Sequence, residues 1–92
     1  MAFVYTWDPT KNASNVRDHG IDFIVVERFD WDSAIVEVDD REDYGELREI
    51  AKGFIGDVLH VVVFTVRHHA VYHLISLRKA TKRERKEYGQ GT

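Results

Sequence analysis

No cysteine occurs anywhere in the chain. That removes disulfide staples, thiolate nucleophiles and cysteine-held metals, and it suits a reducing compartment such as the cytoplasm. Proline is scarce as well: Pro9 stands alone, and the six glycines follow no period, so neither a Pro/Gly-rich linker nor a repeat architecture is expected. Residues 58–66 are the nearest approach to a long apolar run. They contain His60 and are far short of a bilayer span, and residues 1–7 lack the basic start of an export signal. The expectation is a single domain over residues 1–92, cytoplasmic and without a membrane partner. Catalytic signatures are equally scarce, with no G-x-S-x-G, no H-E-x-x-H and no Walker-type phosphate loop. Of the five histidines, His68, His69 and His73 come closest to a ligand set. Adjacent residues of an extended chain point to opposite sides, however, so no metal site and no cofactor are expected.

What the chain does have is charge, unevenly placed. Hydrophobic residues make up 43%, enough for a core, and charged residues 32%, with a net charge of −3. Residues 76–88 hold six Lys/Arg against two Glu, a local +4 in a chain whose remainder sums to −7. Residues 27–49 hold ten Asp/Glu and three Arg, which reads as a solvated surface or as an interface for a basic partner. Asymmetry of this kind bears on partners rather than on fold.

Periodicity and punctuation give the order β-α-α-β-β-β-β-α. Residues 2–7 alternate Phe3, Tyr5 and Trp7 against Val4 and Thr6, a short strand. Asp8 caps a helix with Pro9 in its first turn and Gly20 at its end, and Lys11, Asn15 and His19 form a polar stripe along it. A second helix over residues 23–29 is capped by Asp22 and carries the β-branched run Ile24-Val25-Val26. Strands are expected over residues 33–38, 47–54, 58–66 and 71–77, with turns at Gly56-Asp57 and at residues 67–69. Thr81 and Glu84 then form a capping box opening a basic helix that Gly89 ends. Consecutive strands on short loops predict an antiparallel sheet and an α+β fold. The aromatics read as core, and Trp31, between two aspartates, reads as core or as an interface anchor.

This inventory suits phosphate chemistry. RNA is cut without a metal when a base takes the 2′-hydroxyl proton, cations hold the charge growing on the phosphate, and an acid protonates the leaving 5′-oxygen. Arg67 and Arg78 suit the cationic role, since a guanidinium fork matches two phosphate oxygens. His19, His73 or Glu84 is the proton carrier, and Tyr88 donates a hydrogen bond or stacks on a base. Two geometric problems stand against one site. A hairpin in ordinary register puts Arg67 and Arg78 at opposite ends, and strict alternation puts His73 and Arg78 on opposite faces unless the strand twists or bulges. The other reading of Lys82, Arg83, Arg85 and Lys86 is a solvated helix face stitched by Arg83 and Glu87.

Several stretches together resemble the BrnT toxins of bacterial type II toxin–antitoxin systems. They are W-D-P-x-K-x-x-x-N-x-x-x-H-G from Trp7 to Gly20, then Asp40-Arg41, Tyr44-Gly45-Glu46, Arg48 and Gly53. Val61 to Thr65 with Arg67 follows, and then I-S-x-R-K-A-T-K-R-E-R from Ile75 to Arg85, and Tyr88. The resemblance implies a RelE-like fold and a metal-independent endoribonuclease that inhibits translation. It also implies a BrnA-like antitoxin, a homodimer within a toxin–antitoxin heterotetramer, and DNA contact only through the antitoxin. Arg67, Arg78, Glu84 and Tyr88 match the active region that the resemblance implies. Lys11 and His19 match its N-terminal motif in a structural or substrate-facing role, and Lys79, Lys82, Arg83 and Arg85 extend the RNA-binding surface. One departure is His73, where the family usually has arginine, which makes phosphate binding there weaker or pH-dependent. The alternative is a non-catalytic module that binds RNA or protein through the basic helix.

Overall fold

The structure is a computed structural model that describes residues 3–90. Its elements are β1 (Val4–Thr6), α1 (Pro9–His19), a 3₁₀ helix (Phe23–Arg28), β2 (Ile35–Asp39), β3 (Arg48–Ile55), β4 (Val58–Arg67), β5 (Val71–Lys79) and α2 (Lys82–Gln90). Five strands form one sheet in the order β1-β5-β4-β3-β2. β2 to β5 run antiparallel, but β1 lies parallel to β5, Val4 opposite Val71 and Thr6 opposite His73. The sheet is therefore mixed rather than antiparallel. The chain leaves β1 through both N-terminal helical segments and enters the sheet at its far edge, so β1 is left to close the other edge beside the last strand. Ala2, the first residue of the expected strand, lies outside the described residues.

The predicted caps of α1 are present. Asp8 accepts from the Thr10 N–H at 2.8 Å, and Gly20 takes the left-handed conformation, φ 71°, in which its N–H closes on the Val16 carbonyl. The second segment departs from expectation: it is 3₁₀ rather than α. Its Ile-Val-Val run resists α-helix, and at Phe29 the chain turns extended and bridges Ile55. Phe29 also explains Gly53, since a Cβ there would stand 2.6 Å from the Phe29 ring. α2 opens on the predicted capping box, with Thr81 N–H on Glu84 Oε1 at 2.8 Å and Glu84 N–H on Thr81 Oγ1 at 3.1 Å. Gly89 does not end it. The helix continues to Gln90 because Tyr88 ties that turn down, its hydroxyl on the Ser33 carbonyl at 2.7 Å and its ring edge-on to Phe54. That anchorage outweighs the weak helix propensity of one glycine.

The main core lies between the sheet and the 3₁₀ helix. Phe23, Val26 and Phe29 pack on Ala51, Val62, Phe64, Leu74 and Leu77. Trp31 belongs to this core and is no interface anchor: its ring meets Phe29, Phe64 and Tyr72 edge-on, and its N–H donates to the Tyr5 hydroxyl at 2.7 Å. Full burial of such side chains is worth about 1.5–3 kcal/mol each.

Asn15 shows what the polar stripe of α1 faces. β1 covers β5 only from Val71 to His73, and the outer edge of β5 beyond that has no strand partner among the described residues. Asn15 stands in for one: its amide donates to the Leu77 carbonyl at 2.8 Å and accepts from the Leu77 N–H at 3.1 Å. The side chain is buried, so without it two backbone groups would lose their partner.

Candidate active site

Residues paired across strands share a face. On β4, Val62 and Phe64 face the main core, so Val61, Val63 and Thr65 face the other way. Opposite them on β5 stand Arg78, Ser76 and His73. The register slips between Val63 and Phe64, where Ile75 is the extra residue of a β-bulge. This bulge reverses the phase of β5 and puts His73, Ser76 and Arg78 on one face, where strict alternation would divide them. Continuing the register across the sheet adds Lys52 opposite Val61, Ile50 opposite Val63 and Arg48 at the position next along β3, and then Ile35, Glu37 and Asp39 on β2.

The result is an apolar floor rimmed by charge. At one end α2 crosses the sheet and closes a small second core of Leu59, Val61 and Ala80 with Ile50, Phe54 and Tyr88. Beside it Arg78 holds Glu84 in a two-pronged pair, Nη1 to Oε1 at 2.7 Å and Nη2 to Oε2 at 2.9 Å. Those bonds, with the Thr81 N–H, pull the Glu84 carboxyl down to about 2, so it is ionised at neutral pH. A carboxylate that acidic is a poor base, and its role here is to hold the guanidinium.

The other end is a polar row. Asp39 is buried and clasped by Arg41 at 2.7 and 2.8 Å, which depresses its carboxyl to about 2. Arg48 stacks on the Tyr44 ring at 4.0 Å, and its buried Nε makes no hydrogen bond, the Glu46 carboxylate standing 3.6 Å away. His73 takes up a 2.8 Å hydrogen bond between its Nδ1 and the Thr6 hydroxyl. Desolvation, and then the charge of Arg67, lower the His73 pKa from its usual 6.5, so the imidazole is neutral at pH 7.

The remaining candidates scatter. Arg67 pairs with Val71 and Arg78 with Val61, so the two arginines sit at opposite ends of the hairpin, roughly 20 Å apart at strand rise. Arg67 is thus a neighbour of His73 and not of Arg78. Lys11 and His19 flank Asn15 by one turn each and line, with Ile75 and Ser76, a cleft of about 130 Å³ at the edge of β5. The Tyr88 hydroxyl is spent on Ser33. Arg83 pairs with Glu87 at 2.9 Å, Arg85 donates to the Ala80 carbonyl, and Lys79 and Lys82 are exposed. His68 and His69 occupy the β4–β5 turn, and among the described residues no three His, Asp or Glu gather as a metal site.

Sequence reasoning passed over Arg48 as a site residue and missed Lys52. The signal was there in strand phase: Arg48, Ile50, Lys52 and Phe54 alternate with the buried Ala51 and Gly53. Two cavities, about 430 Å³ behind α2 and about 290 Å³ beside Trp31, include neither His73 nor Arg78.

The comparisons with known proteins bear on this face. The family model for the ribonuclease toxin BrnT of type II toxin–antitoxin systems matches residues 7–84. The chain belongs to the BrnT toxin family. A crystal structure of the Brucella abortus ribonuclease toxin BrnT is similar, at 27% sequence identity and a TM-score of 0.66, covering 88% of this chain and 100% of that one. None of the curated proteins matches the sequence. Membership of a type II toxin–antitoxin family implies an antitoxin partner. The matched span takes in every strand from β2 to β5 and ends on Glu84, the partner of Arg78. Among the described residues of this BrnT-family chain, no helix is long and apolar enough to cross a membrane.

Proposed function

We propose that this chain is a metal-independent endoribonuclease of RelE-like architecture that inhibits translation by cutting RNA in the cytoplasm. The observation that supports it best is the β5 bulge, which puts a neutral imidazole and a guanidinium on one cation-rimmed face, four β4 positions or roughly 13 Å apart at strand rise. His73 is the base: in the tautomer whose Nδ1–H donates to the Thr6 hydroxyl oxygen, Nε2 carries the lone pair that takes the 2′-hydroxyl proton. The 2′-oxygen then attacks the adjacent phosphorus, the bond to the 5′-oxygen breaks and that oxygen takes a proton from solvent water, while the long Arg78 side chain, reaching along the face toward His73, stabilises the charge on the non-bridging oxygens. Burial first and then the charge of Arg67 favour the neutral imidazole, and Arg67 supplies a cation at that end of the face. Lys11, His19, Lys79, Lys82, Arg83 and Arg85 serve RNA capture. A BrnA-like antitoxin restrains the toxin, in an assembly containing a toxin dimer, and alone contacts DNA.

Purified protein incubated with messenger RNA in EDTA should yield fragments ending in cyclic phosphate, and Arg78→Ala should lower the rate about 10²–10³-fold. RNA left intact at high protein concentration would sink the proposal. The second reading, a non-catalytic RNA-binding module, is favoured by one observation: Arg78 is already neutralised by Glu84, while the cations of α2 remain exposed. It predicts binding that weakens steeply with salt and no cleavage.

A further inference from the structure

Lys52 lies in one straight row across four strands, Ile35–Lys52–Val61–Arg78, on the charged face. Val61 is 2% exposed, packed in the second core beside α2, so the centre of the row is closed and apolar with a cation on either side. The two cations start from strands on either side of β4, and their Cα atoms are about 9.6 Å apart by strand spacing. Each is engaged by a carboxylate. Arg78 holds Glu84 at 2.7 Å, while Lys52 reaches Glu37 only at 3.8 Å, and the Glu37 side chain is 61% exposed. A contact so long to so exposed a carboxylate is worth little. The Lys52 side chain itself is only 19% exposed, so its ammonium is partly desolvated without a close counter-ion. This is the arrangement of a ligand cation kept in reserve.

We infer that Lys52 and Arg78, flanking the closed centre of this row, form a two-pronged seat for an RNA phosphate held between their side-chain ends, with Glu37 and Glu84 holding the two cations until RNA displaces them. The inference rests on the reading of this face as the RNA-binding surface. It assigns to Lys52 the second cationic position that Arg67, at the far end of the hairpin, does not reach. Lysine suits it as a point charge on a flexible stem, able to swing from Glu37 to the phosphate, while the arginine fork fixes orientation.

The test is binding of a 2′-O-methyl RNA oligonucleotide, which keeps every phosphate but offers no 2′-hydroxyl nucleophile, followed by fluorescence anisotropy over a range of salt. Lys52→Met keeps the aliphatic stem over the floor, and urea midpoints confirm that each variant is folded. Lys52→Met and Arg78→Ala should each weaken binding and each reduce the logarithmic salt slope by about 0.7, one single-strand phosphate contact. Lys52→Arg should restore the slope. Glu37→Gln should tighten binding, because it removes the competitor; a Lys52 that served only to pair with Glu37 would give no such opposite signs. Unchanged affinity and slope in Lys52→Met, with Arg78→Ala impaired, would overturn the seat. Absence of binding by the unaltered protein would overturn it too, and cleavage of unmodified RNA by the same preparation then tells whether the nuclease reading survives.

Discussion

On the helix-covered face of the sheet, Tyr5 lies against Trp31 and Tyr72, and burial pushes its hydroxyl above the usual phenol range. On the opposite face, Asp39 and Glu84 are pulled down to about 2 by hydrogen bonds from Arg41 and Arg78. One sheet thus carries two kinds of environment back to back. Burial is the main influence on Tyr5 on the first face and on His73 on the second, but only the second face adds charge partners that keep buried acids ionised. Alternation along each strand is enough to make the difference: on β4, Val62 and Phe64 join the main core while Val61 and Val63 floor the charged face. Stability is concentrated on one side and chemistry on the other, and substitutions should separate them.

The largest effect is expected from Phe23→Ala. Phe23 is fully buried between the 3₁₀ helix and the sheet and meets Trp7 edge-on, so the loss should be about 3–5 kcal/mol, measured by urea denaturation. In a domain of ordinary stability that is a large share of the total. If the folded fraction still cuts RNA at the normal rate, the two faces are separable. A loss of rate beyond the loss of folded protein would mean that the charged face depends on the packing beneath it.

Acid should act on the second face through Asp39 and Glu84. A carboxyl whose folded pKa is depressed binds fewer protons folded than unfolded, so its stabilisation is complete above the unfolded value and is lost as pH falls toward the folded one. For Glu84 and Asp39 the window runs from their ordinary 4.5 and 3.8 down to about 2. The urea midpoint should therefore hold steady from pH 7 to 5 as far as these two are concerned, then fall. Glu84→Gln should lower the plateau, since it breaks the two-pronged pair with Arg78, and should remove its own share of the acid decline. An unaltered acid decline in that variant would show that the pair contributes nothing to stability.

The strand periodicity, the caps Asp8, Asp22 and Thr81, and the turns were legible in the sequence because local chemistry sets them. The position of β1 was not, because a three-residue strand has no local preference for its partner and is placed by whichever edge the rest of the chain leaves open. The charged face was half legible. Arg78 and Glu84 are six residues apart and follow from the strand, the capping box and charge. The placing of His73 on the same face as Arg78 depends on one extra residue at Ile75, and nothing in I-S-L marks a bulge. Lys52 comes from a strand far off in sequence, and only the register brings it opposite Val61. The role of Asn15 was visible only as a stripe, because its partner, the Leu77 backbone, is 62 residues away.

The smallest effect should come from the β4–β5 turn, where the charged face ends. His68 and His69 have φ values of 53° and 64°, and the Ala70 N–H closes on the Arg67 carbonyl at 3.2 Å. Two left-handed central residues with that closure make a type I′ turn, whose twist matches the hairpin and whose preferred residues are Asn-Gly. Histidine tolerates the conformation at a cost that asparagine and glycine largely avoid. Replacing His68-His69 by Asn-Gly should therefore stabilise the fold by about 1 kcal/mol, read as a raised urea midpoint. RNA cleavage should be unchanged, because both imidazoles are exposed on the turn and the face ends with the row of His73. A fall in cleavage with the midpoint raised would extend the charged face past Arg67 and make the turn part of the RNA path.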